Sequence, residues 1–220
     1  MSDMQIPTHP KAPDYSGRPM NPYRKVAIEK YAGTSLLDVG CGNGAYVHHF
    51  ASLKQTRGID GTYFDAWKAT PELFEVSDAT QIRQPDNSFE TVVAFELLEH
   101  IPMAENALRE FRRIASKNII ITVPNCTQTP GMKASGLIFN HYSDPTHVNF
   151  WTAETLTALL TKEGYRMVHS ELINRINLGP LFAEAVVRQG PPGRLLTKLF
   201  NRFMAREYPM TILMVAEVNK

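Results

Sequence analysis

One stretch constrains the fold of this chain more than any other, because it places three glycines, Gly40, Gly42 and Gly44, within five positions. The apolar run at residues 36–39 predicts a buried strand ahead of them, and the residues behind them have helical periodicity. Glycine lets the backbone approach a ligand closely, and the start of a helix presents unpaired N–H groups to it. The stretch therefore predicts a strand, a tight turn and a helix built around a ligand.

Two carboxylates narrow the choice of ligand. Gly40, Gly42 and Ala45 also fit the dinucleotide fingerprint, so their spacing alone leaves a nicotinamide or flavin dinucleotide open. Asp38 would repel a pyrophosphate seated on the turn, whereas it would attract an ammonium or sulfonium group. Asp60 lies 20 residues after Gly40, the distance at which an acid that closes the second strand binds ribose hydroxyls. Both a dinucleotide and a nucleoside with a cationic group contain such a ribose, so Asp60 supports a nucleoside ligand without distinguishing the two.

Residues 37–44, Leu-Asp-Val-Gly-Cys-Gly-Asn-Gly, resemble motif I of the class I S-adenosylmethionine-dependent methyltransferases. Further matches follow in the family's order at residues 58–60, 78–79, 89–101, 123–125 and 151–165. The resemblance covers roughly residues 34–173, and it implies S-adenosyl-L-methionine as the cofactor.

The resemblance also implies roles for particular residues. By this resemblance, Asp38, Gly40, Gly42 and Gly44 bind the methionine portion of the cofactor. Asp60 binds the ribose, and Asp78 and Ala79 bind the adenine. Phe95 and Glu96, at the end of the fourth strand, complete the predicted cofactor-binding set. The alternative for Asp78 is a local structural role, in which its side chain only caps a helix or stabilises a turn.

The alternation of short apolar runs with helical patterns predicts an α/β fold, a Rossmann-like doubly wound sheet of about seven strands with the last strand antiparallel. The predicted strands are 34–39, 56–60, 73–76, 91–95, 118–123, 165–172 and 210–218. The first predicted helix begins at Pro22 and has an apolar stripe that includes Tyr23 and Val26. Further helices are predicted at 44–54, 103–115 and 152–162, and Thr152 is the predicted N-cap of the last one.

Three segments stand apart from this pattern. Residues 1–20 are polar and rich in proline, which predicts a flexible N-terminal arm before a methyltransferase domain at 21–220. The connection 124–149 is long enough to predict a functional loop or lid. Residues 174–208 are predicted to form a helical cap insertion between the last two strands. A basic ridge at 192–206 fits a solvated face or, less well, peripheral contact with a membrane surface.

Composition sets the remaining bounds. The chain has 220 residues, 43% of them apolar, and a formal net charge of +1, so no global field draws it to nucleic acid. No window of 18 apolar residues occurs, so no transmembrane segment is expected. A cytoplasmic monomer or homodimer that acts on a small-molecule or glycan acceptor is the prediction, with both cysteines as free thiols.

Methyl transfer to a hydroxyl group needs a base that accepts the proton. Two histidines in the long connection, His141 and His147, are the candidate catalytic bases. The proton affinity of histidine lies near neutrality, which suits a hydroxyl acceptor. The segment around Asp144 and His147 resembles one found in methyltransferases of glycans and small hydroxylated molecules. The alternative is that His147 or Asp144 only ties the loop to its neighbours.

A metal site is a further possibility, since Glu96, Glu99 and His100 resemble a magnesium site of quinone and small-RNA methyltransferases. His141 or His147 would complete it. The same pattern is frequent in metal-free members of the fold, and the prediction assigns no metal.

The sequence therefore predicts an S-adenosylmethionine-dependent methyltransferase, with O-methylation of a small-molecule or sugar/glycan hydroxyl as the reaction. Three alternatives remain open. They are methylation of a quinone precursor or RNA at a metal-assisted site, an NAD(P)-dependent oxidoreductase, and a non-catalytic cofactor-binding subunit.

Overall fold

The computed structural model describes residues 20–135, 144–177 and 207–219. These residues form one seven-stranded sheet in the order β3-β2-β1-β4-β5-β7-β6. The first five strands in this order are parallel, and β7 lies between β5 and β6, antiparallel to both. The strands are β1 Ser35–Val39, β2 Gln55–Asp60, β3 Phe74–Val76, β4 Phe89–Phe95, β5 Ala115–Pro124, β6 Tyr165–Asn177 and β7 Glu207–Val218.

Five α-helices accompany the described part of the sheet. They are α1 Pro22–Tyr31, α2 Ala45–His49, α3 Ala104–Ile114, α4 Pro130–Ser135 and α5 Ala153–Lys162. Asn21 caps α1 through its side-chain oxygen, which accepts from two backbone N–H groups, and Pro22 occupies the first turn. Thr152 caps α5 in a reciprocal capping box with Thr155, which confirms the predicted start of that helix.

The sheet is buried on both faces, which explains why its central strands read as continuous apolar runs rather than as alternating ones. On β4, Val92 belongs to the core layer that contains α3 and α5, whereas Val93 belongs to the layer of α1. Ile119 and Ile120 on β5 divide in the same way. Side chains alternate across a strand, so consecutive apolar residues supply both layers.

The strand order reverses between β1 and β4, where β1 pairs with β2 on one side and with β4 on the other. In a doubly wound sheet, ligands bind outside the carboxyl ends of the strands at this switch point. The glycine turn, Asp60 and the segment after Phe95 all leave the sheet at these ends. The fold thus brings the predicted cofactor residues to one edge of the sheet.

The structure corrects several predicted boundaries. Helix α2 ends at His49 rather than near residue 54, and β5 begins at Ala115, directly after α3. Strands β6 and β7 extend to Asn177 and from Glu207, so both ends of the predicted 174–208 insertion are strand.

The predicted apolar stripe of α1 is narrower than expected. Tyr23 and Val26 are 42% and 57% exposed, and only Ala27 and Ile28 are buried. The remainder of the insertion with its basic ridge, most of the N-terminal arm, and residues 136–143 with His141 lie outside the described residues. Within the described ranges, no helix has both the length and the apolar character needed to span a membrane.

Candidate functional site

The glycine turn after β1 adopts a backbone that side chains disfavour. Gly40, Gly42 and Gly44 have φ angles of 75°, 53° and 82°. These angles fall in the left-handed region, where glycine alone carries no steric cost. The carboxylate of Asp60 holds the turn from the next strand, because it accepts hydrogen bonds from the backbone N–H of Gly42 at 3.0 Å and of Thr62 at 3.0 Å. The motif and the end of β2 are therefore one hydrogen-bonded unit.

Asp38 lies beneath this turn and is 2% exposed. Its Oδ2 atom has no hydrogen-bond partner among the described residues. Burial, reinforced by the charge of Asp60 and opposed by that of Arg24, raises the pKa of the Asp38 carboxyl to about 7. A buried carboxylate oxygen without a partner is costly, so the site favours a ligand that brings a cationic group to it. This geometry fits the ammonium and sulfonium of the cofactor that the sequence predicts.

A cavity of about 490 Å³ opens beside the turn. Among the residues that line it are four of the predicted cofactor residues, Gly40, Asp60, Asp78 and Ala79. Leu97 and other apolar side chains supply part of the wall, as is usual for pockets that enclose a flat ring. The structure thus brings the residues predicted for the ribose and the adenine into one pocket.

Asp78 has a local role as well as a place in the cavity wall. Its Oδ1 atom accepts hydrogen bonds from the backbone N–H of Thr80 at 2.7 Å and from the Thr80 hydroxyl at 2.8 Å. These bonds hold the pKa of Asp78 below its usual value. The turn geometry that the sequence offered as an alternative is present, and it leaves the second carboxylate oxygen for another partner.

Phe95 and Glu96 face helix α1 and are not among the residues that line the cavity. Arg24 on α1 pairs with the Glu96 carboxylate at 2.7 Å, and its guanidinium lies 5.3 Å from the centre of the Phe95 ring. Glu96 has a φ angle of 51°, which is unusual for a residue with a side chain. Sequence reasoning missed Arg24, since it belongs to no motif and reaches the site only through the fold.

A second group of polar residues lies where the segment after β4 meets the end of the long connection. The backbone N–H groups of Val148 and Asn149 donate to the Glu99 carbonyl at 2.8 Å and 3.2 Å. The Asn149 side chain donates to the carbonyls of Leu98 and Ile101 at 3.1 Å and 2.6 Å. Ile101 also lines the cavity, so this junction is a neighbour of the predicted cofactor pocket.

Two histidines and two carboxylates meet at this junction. The rings of His100 and His147 make an edge-to-face contact at 4.7 Å, and Nε2 of His147 lies 3.7 Å from Oδ2 of Asp144. Nδ1 of His100 lies 3.2 Å from the Thr146 carbonyl. Glu99 is 1% exposed, and burial, followed by the charge of Glu96, raises its pKa to about 9.

Glu99, His100 and His147 offer ligand atoms that all lie within 4.8 Å of one another, so these residues could hold a metal ion. Neither carboxylate oxygen of Glu99 has a hydrogen-bond partner among the described residues. Glu96, by contrast, directs its carboxylate to Arg24. The grouping therefore lacks Glu96 of the set that the sequence suggested, but it contains Glu99, His100 and His147, one of the two histidines expected to complete that set.

Comparison with known proteins gives a family match over more than half of the chain. A family model described as "Methyltransferase domain" matches residues 15–170. Over 95 residues, 38% of this chain, the sequence is 32% identical to 27-O-demethylrifamycin SV methyltransferase of Amycolatopsis mediterranei (strain S699), with 35% of that protein covered. Over 116 residues, 48% of this chain, it is 27% identical to phosphatidylethanolamine N-methyltransferase of Cereibacter sphaeroides, with 57% of that protein covered.

The match to curated relatives thus spans between about a third and a little over half of their length. Among solved structures, a SAM-dependent methyltransferase from Archaeoglobus fulgidus superposes with a TM-score of 0.63 at 20% identity, over 89% of this chain and 91% of that one. At this level of identity the superposition shows a shared fold, and the predicted doubly wound sheet with an antiparallel last strand is confirmed.

Proposed function

Because the chain belongs to the methyltransferase domain family, we propose that it transfers the methyl group of S-adenosyl-L-methionine to a hydroxyl group of a small molecule or of a glycan. The observation that carries the cofactor assignment is the buried carboxylate of Asp38, whose Oδ2 atom lacks a hydrogen-bond partner among the described residues. A diphosphate at this position would be repelled, whereas an ammonium or sulfonium group would stabilise the ionised carboxylate. This argues against a dinucleotide-dependent oxidoreductase.

In this proposal each part of the cofactor has its own residues. Asp38 and the three motif glycines bind the methionine portion, Asp60 accepts from the ribose hydroxyls, and Asp78 with Ala79 binds the adenine. Asp60, Asp78 and Ala79 share the 490 Å³ cavity, which supports the division. Phe95 and Glu96 stand beside Arg24, outside the cavity lining, so we propose that they shape the site from the side of α1.

When bound, S-adenosylmethionine supplies a methyl group that is already activated by the positive charge on its sulfur. The protein then has two tasks, which are to align the acceptor oxygen with the methyl carbon and to receive the proton that the hydroxyl loses. Alignment is the larger contribution, at about 7–11 kcal/mol, against roughly 10²–10⁴-fold in rate from a general base.

His147 is our candidate for the proton acceptor. It lies on the segment that is hydrogen-bonded to the turn after β4, and the carboxylate of Asp144 lies 3.7 Å from its Nε2 atom. Hydrogen bonds from Thr146 hold the pKa of Asp144 below its usual value, so this carboxylate stays ionised and can stabilise a protonated imidazole. His141 remains a prediction from the sequence as the alternative base.

A second candidate function has one observation in its favour. The ligand atoms of Glu99, His100 and His147 lie close enough together for a divalent ion, as a metal-assisted methyltransferase would require. In that case His147 would be a ligand rather than a base. The two candidates therefore make opposite predictions about chelators.

The decisive experiment is an activity screen with methyl-tritiated S-adenosylmethionine. Purified protein, with and without EDTA, is incubated with panels of phenols, hydroxylated small molecules, free sugars, nucleotide sugars and glycans, and with amines as the contrasting class. We expect label in a hydroxylated acceptor and unchanged transfer in EDTA.

Transfer confined to amines would overturn the proposed acceptor class. EDTA-sensitive transfer restored by a divalent ion would favour the second candidate. Calorimetric binding of NAD(H), with no heat from S-adenosylhomocysteine, would overturn the cofactor assignment.

A further inference from the structure

The glycine turn has a partner that belongs to no motif. Trp67 lies on a short 3₁₀ segment, Asp65–Ala69, and is 2% exposed. Its indole Nε1–H donates a hydrogen bond of 2.8 Å to the backbone carbonyl of Gly42, 25 residues earlier in the chain. This contact joins the middle glycine of the turn to the connection between β2 and β3.

The face of the same indole ring is also held by a neighbour. It stacks on the Phe74 ring with a centroid distance of 5.0 Å and an angle of 6° between the ring planes. Phe74 in turn lies against Gly44, where a Cβ atom would come within 2.4 Å of the ring. Trp67 and Phe74 therefore contact two of the three motif glycines, one by a hydrogen bond and the other by packing.

Two hydrogen bonds orient Gly42, and no neighbouring atom packs against its Cα on the side where a side chain would stand. A Cβ atom built there would meet nothing within 4 Å. The orientation of the residue is set at both of its polar groups, since its N–H donates to Oδ2 of Asp60 at 3.0 Å and its C=O accepts from Trp67. The carbonyl has a second, weaker donor in the Cys41 thiol, whose sulfur lies 3.9 Å from it. The N–H and the C=O belong to successive peptide groups that meet at the Gly42 Cα. Release of the carbonyl from Trp67 would free the peptide group after Gly42 and so loosen the turn that presents the Gly42 N–H to Asp60.

We infer that Trp67 is a positioning residue of the cofactor pocket, which acts by holding the Gly42 peptide so that the turn and Asp60 are arranged before the cofactor binds. The inference rests on the cofactor site proposed above. It is independent of the acceptor, because it concerns the affinity for the nucleoside ligand alone. It also assigns a role to the chain between β2 and β3, which lies outside the glycine motif.

The chain offers a matched control for this residue, because it contains two tryptophans. Trp67→Phe removes the indole N–H and keeps an aromatic ring for stacking on Phe74. Trp151→Phe makes the same chemical change in the core layer of α3 and α5, where Trp151 is also buried at 8% exposure. Calorimetry with S-adenosylhomocysteine then isolates the contribution of one hydrogen bond at the turn.

For Trp67→Phe we expect roughly 3- to 10-fold weaker binding of S-adenosylhomocysteine, the range for loss of one neutral hydrogen bond. For Trp151→Phe we expect binding within about twofold of wild type. A purely structural role for Trp67 would lower the melting temperature of the unliganded protein and leave the dissociation constant of the folded protein unchanged. That result would overturn the inference.

The second readout does not need Trp67 to be replaced. In Trp151→Phe protein, Trp67 is the only tryptophan, so its emission reports directly on the turn. We expect the emission maximum of Trp67 and its quenching by acrylamide to be the same with and without S-adenosylhomocysteine, because the turn is already arranged in the unliganded protein. An emission maximum that moves on binding would show that the ligand rearranges the turn, and it would contradict the inference even if Trp67→Phe fails to fold. Failure of the wild-type protein to bind S-adenosylhomocysteine would overturn the cofactor site and, with it, the inference.

Discussion

The two sides of the candidate site are built differently. On the cofactor side, the carboxylate of Asp60 accepts hydrogen bonds from the backbone N–H groups of Gly42 and Thr62, and that of Asp78 accepts one from the backbone N–H of Thr80. On the side of the long connection, the buried carboxylate of Glu99 has no such partner among the described residues, and it lies beside two histidines from different segments. On the cofactor side, Asp60 and Asp78 are held by backbone donors and Asp38 keeps one buried oxygen without a partner, whereas Glu99 on the other side has no partner at either oxygen among the described residues.

This difference matters because the two sides perform different tasks in the proposed reaction. A pocket for a fixed cofactor benefits from polar groups that are held in place before binding. The acceptor side must bind a group, receive a proton and release a product, so polar groups without a structural partner are expected there. The comparison predicts that mutations on the cofactor side change affinity, whereas mutations on the other side change turnover.

The largest expected effect tests the acceptor side. His147→Ala should slow methyl transfer by about 10²–10⁴-fold, the range for loss of a general base, and leave affinity for S-adenosylhomocysteine within about twofold. His49→Ala, the same substitution at an exposed residue at the end of α2, is the control and should retain full activity. Single-turnover rates with an acceptor from the activity screen, together with calorimetry, make the measurement. Equal losses of affinity and turnover in His147→Ala would contradict the division between the two sides.

Gly44→Ala tests whether the turn has any freedom to adjust. At a φ angle of 82° alanine is strained, and its Cβ would come within 2.4 Å of the Phe74 ring, which is itself stacked on Trp67. We expect a loss of about 2–5 kcal/mol in the free energy of unfolding, measured by urea denaturation. Gly61→Ala is the control, because a Cβ there would meet nothing within 4 Å. A turn that tolerates Gly44→Ala as well as Gly61→Ala is not held in the way the structure indicates.

Asp60→Ala removes the carboxylate that serves both the turn and the proposed ribose contact. Loss of charge-assisted hydrogen bonds should weaken binding of S-adenosylhomocysteine by about 1–3 kcal/mol. Asp65→Ala, in the connection that follows β2, removes an exposed ion pair with Lys68 and should leave affinity unchanged. Isothermal titration of both variants makes the comparison. An Asp60→Ala protein that binds as tightly as wild type would exclude Asp60 from the ribose site.

Much of the cofactor side could be predicted from the sequence, because its determinants are local. The φ angles of the motif glycines are a backbone requirement that only glycine meets without strain, and the spacing to Asp60 follows from one strand–helix–strand unit. The N-capping residue Thr152 likewise predicts the start of α5. Residues whose role is fixed within one structural unit leave a pattern in the sequence.

The other contacts have no such pattern. Arg24 pairs with Glu96, 72 positions later in the chain, and the ring of His100 contacts that of His147, which belongs to a different segment. The exposure of Val26, which the helical pattern counted as core, depends on how much of α1 the sheet can cover. These features are tertiary, so local periodicity could not predict them.

The smallest expected effect concerns the titration of Asp38. In the unliganded protein the pKa of Asp38 is about 7, above its ordinary value of 3.8, so folding holds a proton that the unfolded chain releases between these limits. Asp38 should therefore lower the stability of the unliganded protein as pH rises from about 4 to about 7. The difference between wild type and Asp38→Asn isolates this contribution, because the raised pKa of Glu99 acts in the same direction. S-adenosylhomocysteine has no sulfonium but keeps the ammonium group, which favours the ionised form of Asp38. It should therefore bind about fivefold more tightly at pH 7 than at pH 6, and gain less than about twofold more by pH 8. Calorimetry in buffers of different ionisation enthalpy measures the proton released on binding. Asp38→Asn should bind weakly with a flat pH profile, and wild-type affinity that is constant between pH 6 and 7 would show that Asp38 is not the group that receives the ligand's charge.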